Sequence, residues 1–181
     1  MLKIAWNNHY TLPLPEGHRF PMLKYDLIPE QLLYEGTISP QNIFSPNELD
    51  ESLLFGIHDK QYWEKLKNGK LTKEEIRRTG FPYSEELVKR ELIILKGTIE
   101  CAKYAIDYGV ALNVAGGTHH AFRDRGEGFC LLNDIAVASD FLLENKLASQ
   151  ILIIDLDVHQ GNGTAKIFHG RGDVFTFSMH G

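Results

Sequence analysis

Apolar residues after Ser84 recur at Val88, Leu92, Leu95, Ile99, Ala102 and Ile106, a spacing of alternate fours and threes that draws one stripe along a helix. Ser84 is placed to cap that helix, Glu85 and Glu86 to complement the positive end of its dipole, and Gly109 to end it in a left-handed conformation. The pattern changes on the N-terminal side. Leu2-Lys3-Ile4-Ala5-Trp6 alternates and meets Asn7-Asn8, which predicts a short strand closed by a turn. A loop with Pro13 and Pro15 follows, then helical spacing over 21–35 that stops at Gly36. Ser45-Pro46 has the form of an N-cap with proline in the first turn and predicts a second helix. Residues 60–78 are charged, break at Asn68-Gly69, and read as a solvated helical surface with a turn.

After Gly109 the run Val110 to Val114 is β-prone and leads into a glycine-rich loop. Asn133 or Asp134 can start a helix with Ile135, Ala138 and Leu142 on one face, and Ile151-Leu152-Ile153-Ile154 is wholly apolar. Strand, loop, helix, strand is a βαβ unit with a right-handed crossover, and the absence of alternation in 151–154 predicts a parallel strand covered on both faces. A helix after Gly163 and a strand over 174–178 would repeat the unit. The reading is an α/β fold of three layers, a central parallel sheet with helices on both faces. No internal repeat or domain boundary divides residues 1–181, which read as a single domain.

With 181 residues, 43% of them apolar, the chain can bury a core. Its formal net charge of −5 is spread over mixed signs, so it lacks the basic footprint that nucleic acid attracts, while cationic substrates such as lysine-rich tails are tolerated. Cys101 and Cys130 are too few and too far apart for a disulfide framework, which points to a reducing compartment. The N-terminus lacks the pattern of a secretory leader, and no apolar run approaches the roughly 20 residues that span a bilayer. A cytoplasmic protein without membrane contact is expected. Oligomeric state is not legible.

In open α/β sheets ligands bind beyond the carboxyl ends of the strands. At those ends stand Gly116-Gly117-Thr118-His119-His120, then the segment from Asp155 to Gly163, then Ser178-Met179-His180. Four of the eight histidines thus fall on one rim. Asp155, Asp157 and His159 have period two, so an extended backbone would project them to one side. Asp157 and His159 offer an oxygen and a nitrogen, a mixture zinc accepts, although a catalytic zinc typically takes three protein ligands. The alternative is an acidic strand end whose aspartates cap the next helix. Adjacent histidines on a glycine loop suit acid/base work near neutral pH, and each ring needs a partner on its other nitrogen, for which Asp155 and Asn162 are candidates. Taken alone, a His-His pair in a loop is more often ordinary surface or satisfied core.

Together these segments carry a resemblance. Gly116 to Ala121, Gly128-Phe129-Cys130 with Asn133-Asp134, and Ile154 to Thr164 resemble, in order and spacing, the central motifs of the histone deacetylase superfamily, and the likeness reaches back to His18-Arg19-Phe20-Pro21-Met22. The Gln160-Gly161-Asn162-Gly163 version looks most like the class IV branch and its bacterial relatives. The resemblance implies an arginase/deacetylase-like fold and a zinc-dependent amide hydrolase acting on acylated lysine or a small acylated amine. It implies zinc on Asp157 and His159, His120 as general base, His119 as the charge-stabilising imidazole oriented by Asp155, and Asn162 opposite the base. Gly128 and Phe129 correspond to the wall of the acyl-lysine tunnel, and Arg19 to the pocket through which the acid product leaves. Asp155, Asp157, His159, Ser178 and Met179 correspond to a structural potassium site, largely through backbone carbonyls. Asn162 departs from members that carry Asp there. The family's third zinc ligand, an Asp, and its oxyanion-stabilising Tyr are expected beyond Gly181, so the chain reads as the N-terminal part of the domain, incomplete at its C-terminus and inactive alone.

Three readings follow: an acyl-amine hydrolase, a catalytically silent acyl-lysine or metal-binding module, and a sister hydrolase with two manganese ions. The last would need Asp124 as a further ligand. The intact set His119, His120, Asp157 and His159 favours the hydrolase. Class IV likeness favours longer acyl groups, and the natural substrate and native metal are not legible. Cys130 has no base beside it and reads as a packing residue.

Overall fold

A computed structural model describes residues 1–181. The regular elements are β1 (Lys3–Ala5), α1 (Lys24–Tyr34), β2 (Ile43–Phe44), α2 (Lys60–Lys67), α3 (Lys73–Thr79), α4 (Glu85–Tyr108), β3 (Ala111–Asn113), α5 (Asp134–Glu144), β4 (Ile151–Asp155), α6 (Asn162–Ile167) and β5 (Val174–Ser178). Every strand pairing is parallel. The architecture is α/β, as the patterns predict.

α4 starts and stops on the signals written in its sequence. The Ser84 hydroxyl accepts the Leu87 amide at 3.0 Å, and Gly109 closes the helix at φ 86°. Val88, Leu92, Leu95 and Ile99 are buried, whereas Ile106 at the C-terminal end of the stripe is 55% exposed. The helix packs on β1, β3 and α5 and forms the spine of the core. The charged segment over 60–78 is two amphipathic helices rather than a solvated surface. Tyr62, Trp63 and Leu66 of α2 lie in the core, and Trp63 Nε1 donates to Glu51 at 2.9 Å. Both helices keep their charged residues outward.

The helix expected at Ser45-Pro46 does not form. Asn7 Nδ2 donates to the Ser45 hydroxyl at 2.9 Å and to the Pro46 carbonyl at 3.0 Å, which holds that segment extended against β1. The helical turn comes later, over Glu51–Leu54, where the Asp50 carboxylate accepts the Ser52 amide.

The strands form two sheets, one ordered β2-β1-β3 and the other β4-β5. β3 and β4 flank α5 without pairing with each other. In β4 and β5 the register aligns Leu152 with Phe175 and Ile154 with Phe177. The opposite face, with Ile153 and Val174, joins the core, but Leu152 is 60% and Phe175 67% exposed. The apolar composition of β4 thus reports two faces that both avoid polar residues, of which only one is covered within these residues. No helix is long and apolar enough to cross a membrane.

Candidate active site

The carboxyl ends of β3 and β4 open onto a cleft of about 840 Å³, whose lining includes His119, His120, Phe129, Asp155, Asp157 and His159. His119 is buried and its Nδ1 lies 2.5 Å from Asp155 Oδ2. Since a carboxylate only accepts, Nδ1 carries the proton. His120 Nδ1 lies 2.8 Å from Asn162 Oδ1, and the two histidine rings are 4.1 Å apart, centroid to centroid. His159 stands 6.0 Å from the His120 ring, and Asp157 Oδ1 is 3.9 Å from His119 Nε2.

The series Asp155, Asp157, His159 reaches the cleft by turns rather than as one strand. β4 ends at Asp155, whose carboxylate accepts the Asp157 amide at 3.0 Å, and Asp157 in turn accepts the His159 amide at 2.8 Å. These side chains cap the amides released as the strand stops, and the residues still converge. The His159 amide and side chain hold the Asp157 carboxyl below the usual carboxylate range against its partial desolvation, so it is an anion at neutral pH. Asp157 and His159 are exposed donors, oxygen and nitrogen, of the kind zinc accepts. No group of three His, Cys, Asp or Glu side chains is arranged to hold a metal.

Two close approaches require glycine. A Cβ on Gly163, at the start of α6, would collide with the Ala121 carbonyl and come within 2.7 Å of His119 O. One on Gly128, which has φ 53°, would come within 2.8 Å of His120 Cδ2. Phe129 also has positive φ, 66°, an uncommon conformation for a bulky residue, held by its amide donating to Thr79 O at 2.7 Å. Its ring packs on Phe20 and Phe81, 5.0 and 5.4 Å away, with the Arg19 guanidinium 5.2 Å above it. Arg19 and Phe129 thus share one wall of the cleft.

Other expected residues lie elsewhere. Asp124 binds Arg125 on the surface, away from the cleft, which removes the candidate ligand of a two-manganese site. His180 contacts Ser178 and is not part of the lining. The Ser178 hydroxyl accepts the Gly161 amide at 3.2 Å, and the Met179 amide donates to Asp155 O at 3.0 Å. Cys130 is buried beside the cleft, and burial pushes its thiol up to about 12, which leaves it unreactive. Thr118, Asp134 and Thr164 stand in the motif segments but carry no assigned role in the sequence reading; the Asp134 carboxylate accepts the Thr118 amide and hydroxyl, and the Thr164 hydroxyl donates to His119 O. For Asp134 the signal in the sequence was its place with Asn133 in the motif that follows Cys130 and at a helix start.

The histone deacetylase domain family matches residues 18–181. The chain is 46% identical over 177 residues to an uncharacterised Picosynechococcus protein, covering 98% of this chain and 59% of that one. It is 32% identical to the acetoin utilization protein AcuC of Staphylococcus aureus, over 91% of this chain and 45% of the relative, and 32% identical to histone deacetylase 2 of Arabidopsis thaliana, over 99% and 49%. A crystal structure of a deacetylase homologue from Aquifex aeolicus superposes with a TM-score of 0.82 at 24% identity, covering 99% of this chain and 50% of that one, which shows a shared fold. The chain spans about half the length of most of these relatives. The family match over nearly all of the residues, together with the ordered cleft motifs, establishes that this chain belongs to the histone deacetylase family.

Proposed function

We propose that the chain carries the base and two metal ligands of a zinc-dependent hydrolase that removes acetyl or longer acyl groups from lysine side chains or small acylated amines. One observation carries this reading: two imidazoles 4.1 Å apart are tied at Nδ1 to unlike partners, a carboxylate for His119 and a neutral amide for His120. A carboxylate stabilises imidazolium more than an amide does. The pair therefore divides into a ring suited to bear positive charge, His119, and a ring suited to accept a proton, His120.

Asp157 and His159 would hold zinc, and their ionised oxygen and imidazole nitrogen fit it. When bound, zinc supplies a Lewis acid that polarises a carbonyl and makes water nucleophilic near neutral pH. His120 takes a proton from the attacking water at Nε2 and returns one to the departing amine, so amide and water become carboxylate and ammonium once the acid's proton passes to the amine. Phe129 and Gly128 would line the acyl-lysine chain, and Arg19 would attract the carboxylate product. Backbone carbonyls of Asp155, Asp157, His159, Ser178 and Met179 would hold potassium. Both cysteines are free, which suits a cytoplasmic setting.

The test is a screen of acyl-lysine peptides and acyl-polyamines with the full-length, zinc-loaded protein. Turnover that is lost on chelation and on His120→Ala supports the proposal. No turnover of any acyl amine by protein with a full metal content rejects it and favours a silent binding module.

A further inference from the structure

We infer that Asn133 and Asp134 form a clamp that positions the His119-His120 pair, an inference that rests on the hydrolase reading for its catalytic consequence. Neither residue hydrogen-bonds to the His119 or His120 ring. Both are fully buried, at the start of α5.

Capping accounts for only part of their chemistry. Asn133 Oδ1 accepts the Ala136 amide at 2.9 Å, the ordinary N-cap bond. The Asp134 carboxylate receives no hydrogen bond from its own helix. It accepts the Gly117 amide at 3.1 Å, the Thr118 amide at 2.7 Å, the Thr118 hydroxyl at 2.6 Å and the Thr98 hydroxyl at 2.6 Å. The Asp134 amide donates back to the Thr118 hydroxyl at 3.0 Å. A buried carboxylate without a cation partner is costly unless its lone pairs are filled, and here two residues just before His119 do most of the filling.

Asn133 secures the other side. Its Nδ2 donates to Ala121 O at 3.1 Å and to the Thr164 hydroxyl at 3.0 Å, while the Thr164 amide donates to His119 O at 3.1 Å. Adjacent residues of one helix start thus grip positions 117–118 and 121, leaving only the two histidines between the anchors. Thr98 ties the clamp to α4, and Asn113 Nδ2 donates to the same hydroxyl at 2.8 Å. Gly116 permits the approach, since a Cβ there would come within 2.7 Å of Asp134 Oδ2. Misplacing a catalytic group by about 1 Å can cost about 10²-fold in rate, so such a clamp would be felt in kcat.

Thr118→Val and Thr118→Ser in the full-length, zinc-loaded protein separate hydroxyl from shape. Thr118→Val should lower kcat by roughly 10- to 100-fold with KM within about twofold and metal content unchanged, and Thr118→Ser should recover most of it. Thr98→Val, which removes one outlying donor, should show a smaller loss in the same direction and serves if Thr118→Val does not fold. Proton NMR of the His119 Nδ1–H bound to Asp155 reads the same geometry without turnover, and its signal should shift in both Val variants and return in the Ser variant. Wild-type kcat and an unmoved imidazole signal in Thr98→Val and in any folded Thr118→Val would overturn the clamp, as would a Ser variant as impaired as Val. Absence of turnover in the wild type would sink the hydrolase reading, while the imidazole signal would still decide the clamp.

Discussion

Asn162 Oδ1 accepts from His120 Nδ1 at 2.8 Å and from the Gly163 amide at 2.9 Å. The backbone amide can only donate, so it identifies this atom as the amide oxygen and places the imidazole proton on Nδ1. Nε2 of His120 is then the free, basic nitrogen. The oxygen that accepts the Gly163 amide in the first turn of α6 therefore also selects the tautomer of the proposed base.

Asn162→Asp should move the acid limb of the pH–rate profile to higher pH, because a carboxylate favours the imidazolium that cannot act as base. His120→Ala should lower turnover by about 10² or more with metal content intact, and His119→Ala by less. A steady-state pH series on the three full-length variants checks both. An unmoved acid limb in Asn162→Asp, or a greater loss in His119→Ala, would reverse the assigned roles.

Zinc affinity of the full-length protein should fall in both Asp157→Ala and His159→Ala, by at least about tenfold each, since each removes a proposed ligand. The 181 residues alone should bind zinc weakly and turn over negligibly, because they bring together two such donors. Competition titration with a chromogenic chelator measures this, and equal affinity of wild type and both variants would remove the pair from the metal site.

Gly163→Ala should destabilise by about 1–3 kcal/mol, because the added methyl meets backbone at Ala121, His119 and His120 rather than a side chain able to rotate away. The displacement pushes on the histidine pair itself, so kcat should fall as well. Urea melts with parallel kinetics test it. A variant as stable and as active as wild type would show that α6 can shift freely against that loop.

Stability should decline as pH falls from about 6.5 through about 4 on account of His58. Burial lowers this imidazole from 6.5 to about 4, and its Nε2 accepts the Asn133 amide at 2.9 Å, a bond protonation would break. With the folded value below the unfolded one, the stabilisation is full above about 6.5 and is lost on acidification, by up to about 3 kcal/mol. Urea melts of wild type and His58→Gln across this range should differ in slope. Parallel curves would mean that His58 does not titrate with folding.

Capping residues, stripe spacing and the order of the motifs determined much by themselves. Ser84 and Gly109 bound α4 because a cap needs only its own neighbouring amides, and Asp157 and His159 meet because a single residue separates them. Local chemistry of that kind is written in local sequence. Tertiary structure alone decided that β3 and β4 do not pair with each other, that Asn7 captures Ser45 where a helix start was expected, and that α2 turns Trp63 inward. The resemblance named Asp155 and Asn162 as the histidines' partners, but only the tertiary structure brings them within 2.5 and 2.8 Å across 36 and 42 residues, and it alone decided that Asp134 serves the loop 16 residues before it rather than its own helix. Those bonds form between groups that only the packing of α4, α5 and α6 brings within reach, and no periodicity along the chain encodes them.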